Sequence, residues 1–249
     1  MASIEEIDRQ FAEARARDPA LTFARFYGDH VAPLARNGTH GTLGVGREVG
    51  VKRFPAYRRM LELTPDMRVA DFGCGSLRIG YHTISFLQPG HYFGLDIQKE
   101  FLTLDEQMLG ADLYAMKQPT LRVIDQQTVT EAARFGADAV MSINVALHVK
   151  PEEIGIYFQR LVRLTDKPGA RLLFDARMAP EPRRFDSFGW AWPLDFFQAS
   201  LAPLELARIH NKKAYPLGGE DSTTGILEFR RPFSSGDKYT TGEAITRDQ

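Results

Sequence analysis

The chain has 249 residues, 43% hydrophobic and 25% charged, with 31 basic side chains against 32 acidic ones. That balance excludes the basic excess of a nucleic-acid binder, and a single cysteine, Cys74, excludes an internal disulfide. No window reaches the roughly 18 consecutive apolar residues of a membrane span, and the charged start MASIEEIDRQFAEARARD lacks a signal peptide's apolar stretch. The expectation is a soluble, cytoplasmic protein that meets neither nucleic acid nor membrane.

Residues 3–17 place Ile4, Ile7, Phe11 and Ala14 near helical spacing, behind a Ser3 cap with Glu6 three residues later. A second helix is expected over 20–28, ending at Gly28. The stretch NGTHGTLGVGREVG, 37–50, is too rich in glycine to pack as a helix and reads as a loop. VKRFPAYRRMLEL, 51–63, reads as helical beyond Pro55. From residue 67 the pattern becomes rhythmic, with apolar runs at 67–72, 91–96, 120–124, 138–143 and 170–176. Between them lie helical spacings at 77–87, 98–109, 127–135 and 151–165. Such alternation implies a parallel sheet with helices on both faces. After residue 176, WPLDFFQASLAP reads as a helix and LELARIHN and TGILEFRR as strands, so the last strand is expected to enter antiparallel. The expected division is an N-terminal helical cap or lid over 1–64, a core over 65–232 with an aromatic insertion at 177–195, and a flexible tail over 233–249.

The stretch VADFGCGSLRIG, 69–80, follows the first strand and opens the first core helix. In an open parallel sheet, ligands sit at such strand ends, and helix N-terminal amides offer donors. A dinucleotide fingerprint needs G-x-G-x-x-G, but the glycines here fall at 73, 75 and 80, and Arg78 stands where the third belongs. Asp71, just ahead of them, suits a ligand with an ammonium group better than a pyrophosphate. The residues therefore lean toward a nucleoside that bears an amino acid.

Over roughly residues 65–177 the sequence resembles the class I S-adenosylmethionine-dependent methyltransferases. VADFGCGS is similar to the family's acid-x-Gly-x-Gly loop for the methionine portion, which implies Asp71, Gly73, Cys74 and Gly75 as cofactor residues. YFGLDIQ resembles its second strand end, implying Asp96 on the ribose hydroxyls beside Ile97. RVIDQQ resembles the third strand end, implying Asp125 on the adenine amino group beside Gln126. The run from Asp138 to Arg177 resembles the fourth strand, its helix and the fifth strand, with Asn144 beside the methyl. One departure is Leu77, where the family often has glycine. The resemblance implies a Rossmann-like, seven-stranded, mostly parallel sheet with the last strand antiparallel, helices on both faces and an N-terminal helical cap. S-Adenosylmethionine is the implied cofactor. A carboxylate that accepts two hydroxyls at once suits a ribose diol, although Asp96 or Asp125 alone also suits a helix cap.

Methyl transfer from a sulfonium needs alignment and, for a protonated acceptor, a base. His148, just past the fourth strand, is the candidate base because imidazole titrates near neutrality. His30, His40, Arg177, Trp190 and Trp192 are the candidate acceptor contacts, with the tryptophans read equally as anchors of the last helix. No HxxxH or Cys/His cluster has metal-ligand spacing, so no metal is expected. The reading is a methyltransferase of a small-molecule acceptor, with O-methylation slightly ahead of N or C. The alternatives are a nicotinamide-dependent oxidoreductase, an aminopropyl transferase and a non-catalytic cofactor-binding module. Homo-oligomerisation stays open.

Overall fold

The five apolar runs from residue 67 pair with one another and with the two late strands. The computed structural model describes residues 3–36, 47–102, 109–214 and 222–233. Its strands are β1 (Val69–Phe72), β2 (Tyr92–Asp96), β3 (Thr120–Val123), β4 (Ala139–Ser142), β5 (Arg171–Met178), β6 (Arg183–Asp186), β7 (Gly189–Ala191), β8 (Glu205–Ala214) and β9 (Thr223–Arg230). Seven of them form one sheet in the order β3-β2-β1-β4-β5-β9-β8, and β6 and β7 form a separate hairpin. The pairs from β3 through β5 are parallel, while β9 runs antiparallel to both β5 and β8. The sheet is the one expected from the sequence, and its order reverses between β1 and β4.

Alternate residues of a strand face opposite sides, and β1 feeds two cores in this way. Ala70 and Phe72 pack with Val129 of α6 (Gln126–Phe135), Phe158 of α7 (Ile154–Leu164) and Phe197 of α8 (Leu194–Ser200). On the other face Val69 packs with Tyr57 of α3 (Arg47–Met60) and Ile84 of α4 (Gly80–Phe86). A short α5 (Ala111–Lys117) completes that layer. Of the helix expected over 98–109, residues 99–102 and 109 are helical and 103–108 lie outside the described residues.

The N-terminal segment folds as α1 (Ile4–Arg17) and α2 (Phe23–Arg36), and Ser3 caps α1 by accepting from Glu6 N at 3.2 Å. Both helices dock on the chain's own core. Phe23, fully buried, meets Phe11 edge-on at 5.1 Å and Trp190 edge-on at 5.2 Å. Arg184 of the hairpin holds both oxygens of Asp8 at 2.8 Å.

Two helices correct the sequence reading. α2 runs through Gly28 and contains Pro33, and α3 starts at Arg47 and contains Pro55. Each proline removes one ladder bond, but burial of Phe23 from α2 and Tyr57 from α3 outweighs that local preference. Residues 37–46 of the glycine-rich stretch, His40 among them, lie outside the described residues.

Gly50 shows how α3 meets the loop after β1. A Cβ at this position would lie 2.0 Å from the Arg78 carbonyl oxygen, a backbone atom that cannot step aside. Gly50→Ala is therefore expected to destabilise the fold by about 1–3 kcal/mol, the usual cost of overpacking. Urea denaturation followed by circular dichroism measures it, and an unchanged midpoint would refute the close approach.

Candidate active site

The loop between β1 and α4 is shaped by residues that tolerate left-handed backbone. Gly73 has φ of +81° and lies against Val145, whose Cγ2 would be 2.4 Å from any Cβ added there. Leu77, where the sequence departs from the family, has φ of +50°, a conformation that costs a leucine but suits glycine. Its side chain is 1% exposed in the core beside α4, and that burial offsets the backbone cost. Gly73 N and Cys74 N both donate to Leu95 O, at 2.7 and 3.0 Å, so the loop is bound to the end of β2.

At that end stands Asp96, 5% exposed. Its Oδ2 accepts from Gly75 N at 2.8 Å and its Oδ1 from Gln98 N at 3.0 Å. Burial pushes its pKa up to about 6 in spite of these amide bonds. Asp96 lines a cleft of about 710 Å3, together with the loop residues Gly73, Cys74, Gly75, Ser76 and Arg78. Ile97, Asn144 and His148 line it as well.

The cap closes the opposite wall. The first amides of α2, Phe23 N and Ala24 N, donate to the carboxylate of Glu153, the second at 3.1 Å, so a residue just before α7 caps a helix that starts 130 positions earlier. The Gln98 amide donates to Asp29 Oδ1 at 2.9 Å and Arg25 O at 3.3 Å. Tyr27, also in the wall, stacks on His148 with centroids 4.5 Å apart and planes inclined by 19°. Burial raises the Tyr27 pKa, so its hydroxyl stays protonated at neutral pH. The His148 Nδ1 lies 2.9 Å from the Phe188 carbonyl. A carbonyl only accepts, so Nδ1 carries the proton and, in the neutral ring, Nε2 carries the lone pair.

Several residues singled out in the sequence sit elsewhere. Asp71 is 4% exposed and accepts from the Tyr92 hydroxyl at 2.8 Å; it does not line the cleft, and burial raises its pKa to about 7. Its place on β1 turns it toward the core face where Tyr92 lies. Asp125 is exposed and accepts from Thr128 N at 2.7 Å, while Thr128 returns a bond to the Asp125 amide, a capping box at the start of α6. The cap accounts for this acid, and neither it nor the exposed Gln126 lines the cleft. Trp190 is buried against Phe23 beneath the cap, and Trp192 stacks on Phe196 of α8 at 4.5 Å. Trp192 thus fits the reading of an anchor for the last helix, whereas Trp190 packs against α2 of the N-terminal segment, and neither lines the cleft. Arg177 donates to Thr224 across the β5–β9 pair, and His30 is exposed beside Phe188 at 5.3 Å; neither lines the cleft.

The sequence reading missed Tyr27, Gln98 and Glu153, because contacts across 69 to 130 positions leave no local pattern. It noted Arg78 only as an obstacle to a dinucleotide fingerprint.

No protein-family model matches the sequence, and no curated protein matches it. Solved structures share its fold. A magnesium protoporphyrin IX methyltransferase from Synechocystis PCC 6803 with bound SAM is 20% identical over 74% of this chain and 80% of its own, with a TM-score of 0.52. The 4+2 cyclase SpnF is 12% identical over 74% and 81%, with a TM-score of 0.58. A coclaurine N-methyltransferase bound to N-methylheliamine and SAH is 10% identical over 74% and 71%, with a TM-score of 0.55. Among the described residues, no helix is long and apolar enough to cross a membrane.

The buried carboxylates make stability depend on pH. Asp71 and Asp96 titrate near 7 and 6 when folded but near 3.9 when unfolded. The folded chain therefore holds protons that the unfolded chain has released. Their contribution is fully present below about pH 4 and is lost as pH rises through 6 to 7. Thermal melts of the wild type and Asp71→Asn from pH 5 to 8 should show the wild-type Tm falling across that window, and falling less in the variant. Parallel curves would remove Asp71 as a source.

Proposed function

From the fold that this chain shares with the class I S-adenosylmethionine-dependent methyltransferases, we propose that it transfers a methyl group from S-adenosylmethionine to a small-molecule acceptor. The observation that carries the reading is Asp96: a buried carboxylate at the end of β2, facing a cleft and fixed by backbone amides. A carboxylate offers about four lone-pair sites, so the two amide bonds leave acceptor capacity for a ribose diol. Gly73 and Gly75, both at positive φ, line the cleft without side chains, which fits close backbone approach to such a ligand.

The cofactor, when bound, supplies an activated methyl and its own leaving group. The chain's residues do the rest. Asp96, Ile97 and the 73–75 loop orient the nucleoside and its amino-acid tail. Asn144 and His148 border the acceptor side, and α2 of the cap excludes water. With its Nδ1 proton held by Phe188 O, His148 takes the acceptor's proton at Nε2. A base beside the methyl suits an alcohol or phenol, which must lose its proton to react, so O-methylation is the reaction expected; a neutral amine attacks through its lone pair and needs the base less, while C-methylation needs one as well. The helices before residue 65 act as the cap of this site in the same chain.

Calorimetry with S-adenosylhomocysteine, and NADH as control, tests the cofactor. Micromolar binding of the first alone is expected, and NADH alone would reverse the reading. Asp96→Ala should weaken S-adenosylhomocysteine by about 1.5–3 kcal/mol, the value of a hydrogen bond to a charged group. His148→Ala should keep that affinity while lowering methyl transfer to an acceptor about 10²–10⁴-fold. Full activity in that variant would dismiss it as the base. Since a cyclase shares this fold, a labelled methyl group appearing on an acceptor, beyond cofactor binding, is the decisive readout.

A further inference from the structure

Arg78 lies in the cleft wall, at the end of the loop that begins with Gly73. Its surroundings are built to aim it. Asp175, on β5 and 8% exposed, accepts from the backbone amide of Asn144. With the Asn144 side chain oriented by its partners, its amide nitrogen donates to Asp175 Oδ2 at 3.0 Å. Its oxygen then accepts from Arg78 Nη2 at 2.6 Å. Asn144 has φ of +60°, a left-handed turn that asparagine tolerates, and that turn brings both its amides to Asp175. The Arg78 carbonyl is fixed from behind, where α3 crosses it at Gly50. A buried acid and a left-handed asparagine thus converge on the guanidinium, and a helix crossing on the backbone, of one arginine that lines the cleft.

An amino-acid tail presents two opposite charges. The acid nearest the loop in sequence, Asp71, is turned to Tyr92 and does not line the cleft. The charge that the loop does present there is positive. Resting on the methyl-donor reading above, the geometry points to Arg78 as the residue that receives the carboxylate of the cofactor's amino-acid tail, with Asn144 and Asp175 as its positioning residues. A guanidinium meets a carboxylate through two parallel bonds, which fixes the tail's direction as well as its charge. The arginine that breaks the dinucleotide pattern then serves as a selector: it favours a ligand ending in a carboxylate.

The test pairs two probes with three proteins in calorimetry. S-Adenosylhomocysteine carries the tail, and 5′-methylthioadenosine lacks it. Arg78→Gln should weaken S-adenosylhomocysteine about tenfold to a hundredfold and leave methylthioadenosine within about twofold. Arg78→Lys, which keeps the charge without the fork, should fall between. A weakening also separates the two ends of the tail, because removing a cation from beside an ammonium would strengthen binding. Equal losses for both probes in Arg78→Gln, or unchanged S-adenosylhomocysteine affinity, would overturn the assignment while leaving the cofactor reading intact. If the wild type binds methylthioadenosine and S-adenosylhomocysteine equally, the tail is unrecognised and Arg78 has no such role. If it binds neither, the methyl-donor reading falls, and this assignment with it.

Discussion

Three parts of the molecule meet at the Asp96 carboxylate. One oxygen takes the amide of Gly75 in the loop after β1, and the other takes the amide of Gln98 just beyond β2. The Gln98 side chain then reaches Asp29 and the Arg25 carbonyl on the cap. A single buried acid therefore ties the loop to the sheet and, through its neighbour, the sheet to α2. Removing it from water raises its pKa, and the amide bonds are what make the ionised form tolerable at all. The cleft depends on that balance, since its floor, one wall and its cover share this anchor.

The same physical problem recurs on β1 and β5, with a different answer each time. Asp71 at β1 is buried against a tyrosine hydroxyl, and Asp175 on β5 against an asparagine that supplies two amides. In all three, burial drives the pKa upward. Acids placed at the carboxyl ends of a parallel sheet cost stability near neutral pH. Such a cost is ordinary at a functional site. The opposite end of the sheet carries more solvated pairs, such as Lys167 with Asp138.

The core was legible because its period was strong. Short apolar runs separated by helical spacings dictate a parallel sheet, and the ends of β1 through β5 fell within a few residues of expectation. The run of α2 past Gly28 and the start of α3 ahead of Pro55 were not legible, because tertiary burial of Phe23 and Tyr57 decided them. In the site, Asp96, Asn144 and His148 could be placed from their positions just beyond strands. Asp125 could not be decided that way, since Asp followed three residues later by Thr128 serves equally as a ligand contact and as a capping box. Trp190 misled for a related reason: an aromatic near an active-site end has the same appearance whether it faces ligand or a cap helix. Tyr27 and Glu153 were invisible, as nothing local marks a residue whose partner is far along the chain.

That distance has a consequence for how the chain is made. α1 and α2 leave the ribosome ahead of the core, and their partners Glu153, Phe188 and Trp190 emerge well over a hundred residues after them. Fourteen-residue helices are marginal alone in water, so during synthesis Phe11, Phe23 and Phe26 wait without the surface that buries them. Elongation at about 5–20 residues per second makes that wait several seconds at least. These two helices are thus made well before they can be placed, and a nascent chain carries the Phe11, Phe23 and Phe26 cluster unburied until the β6–β7 hairpin has left the exit tunnel.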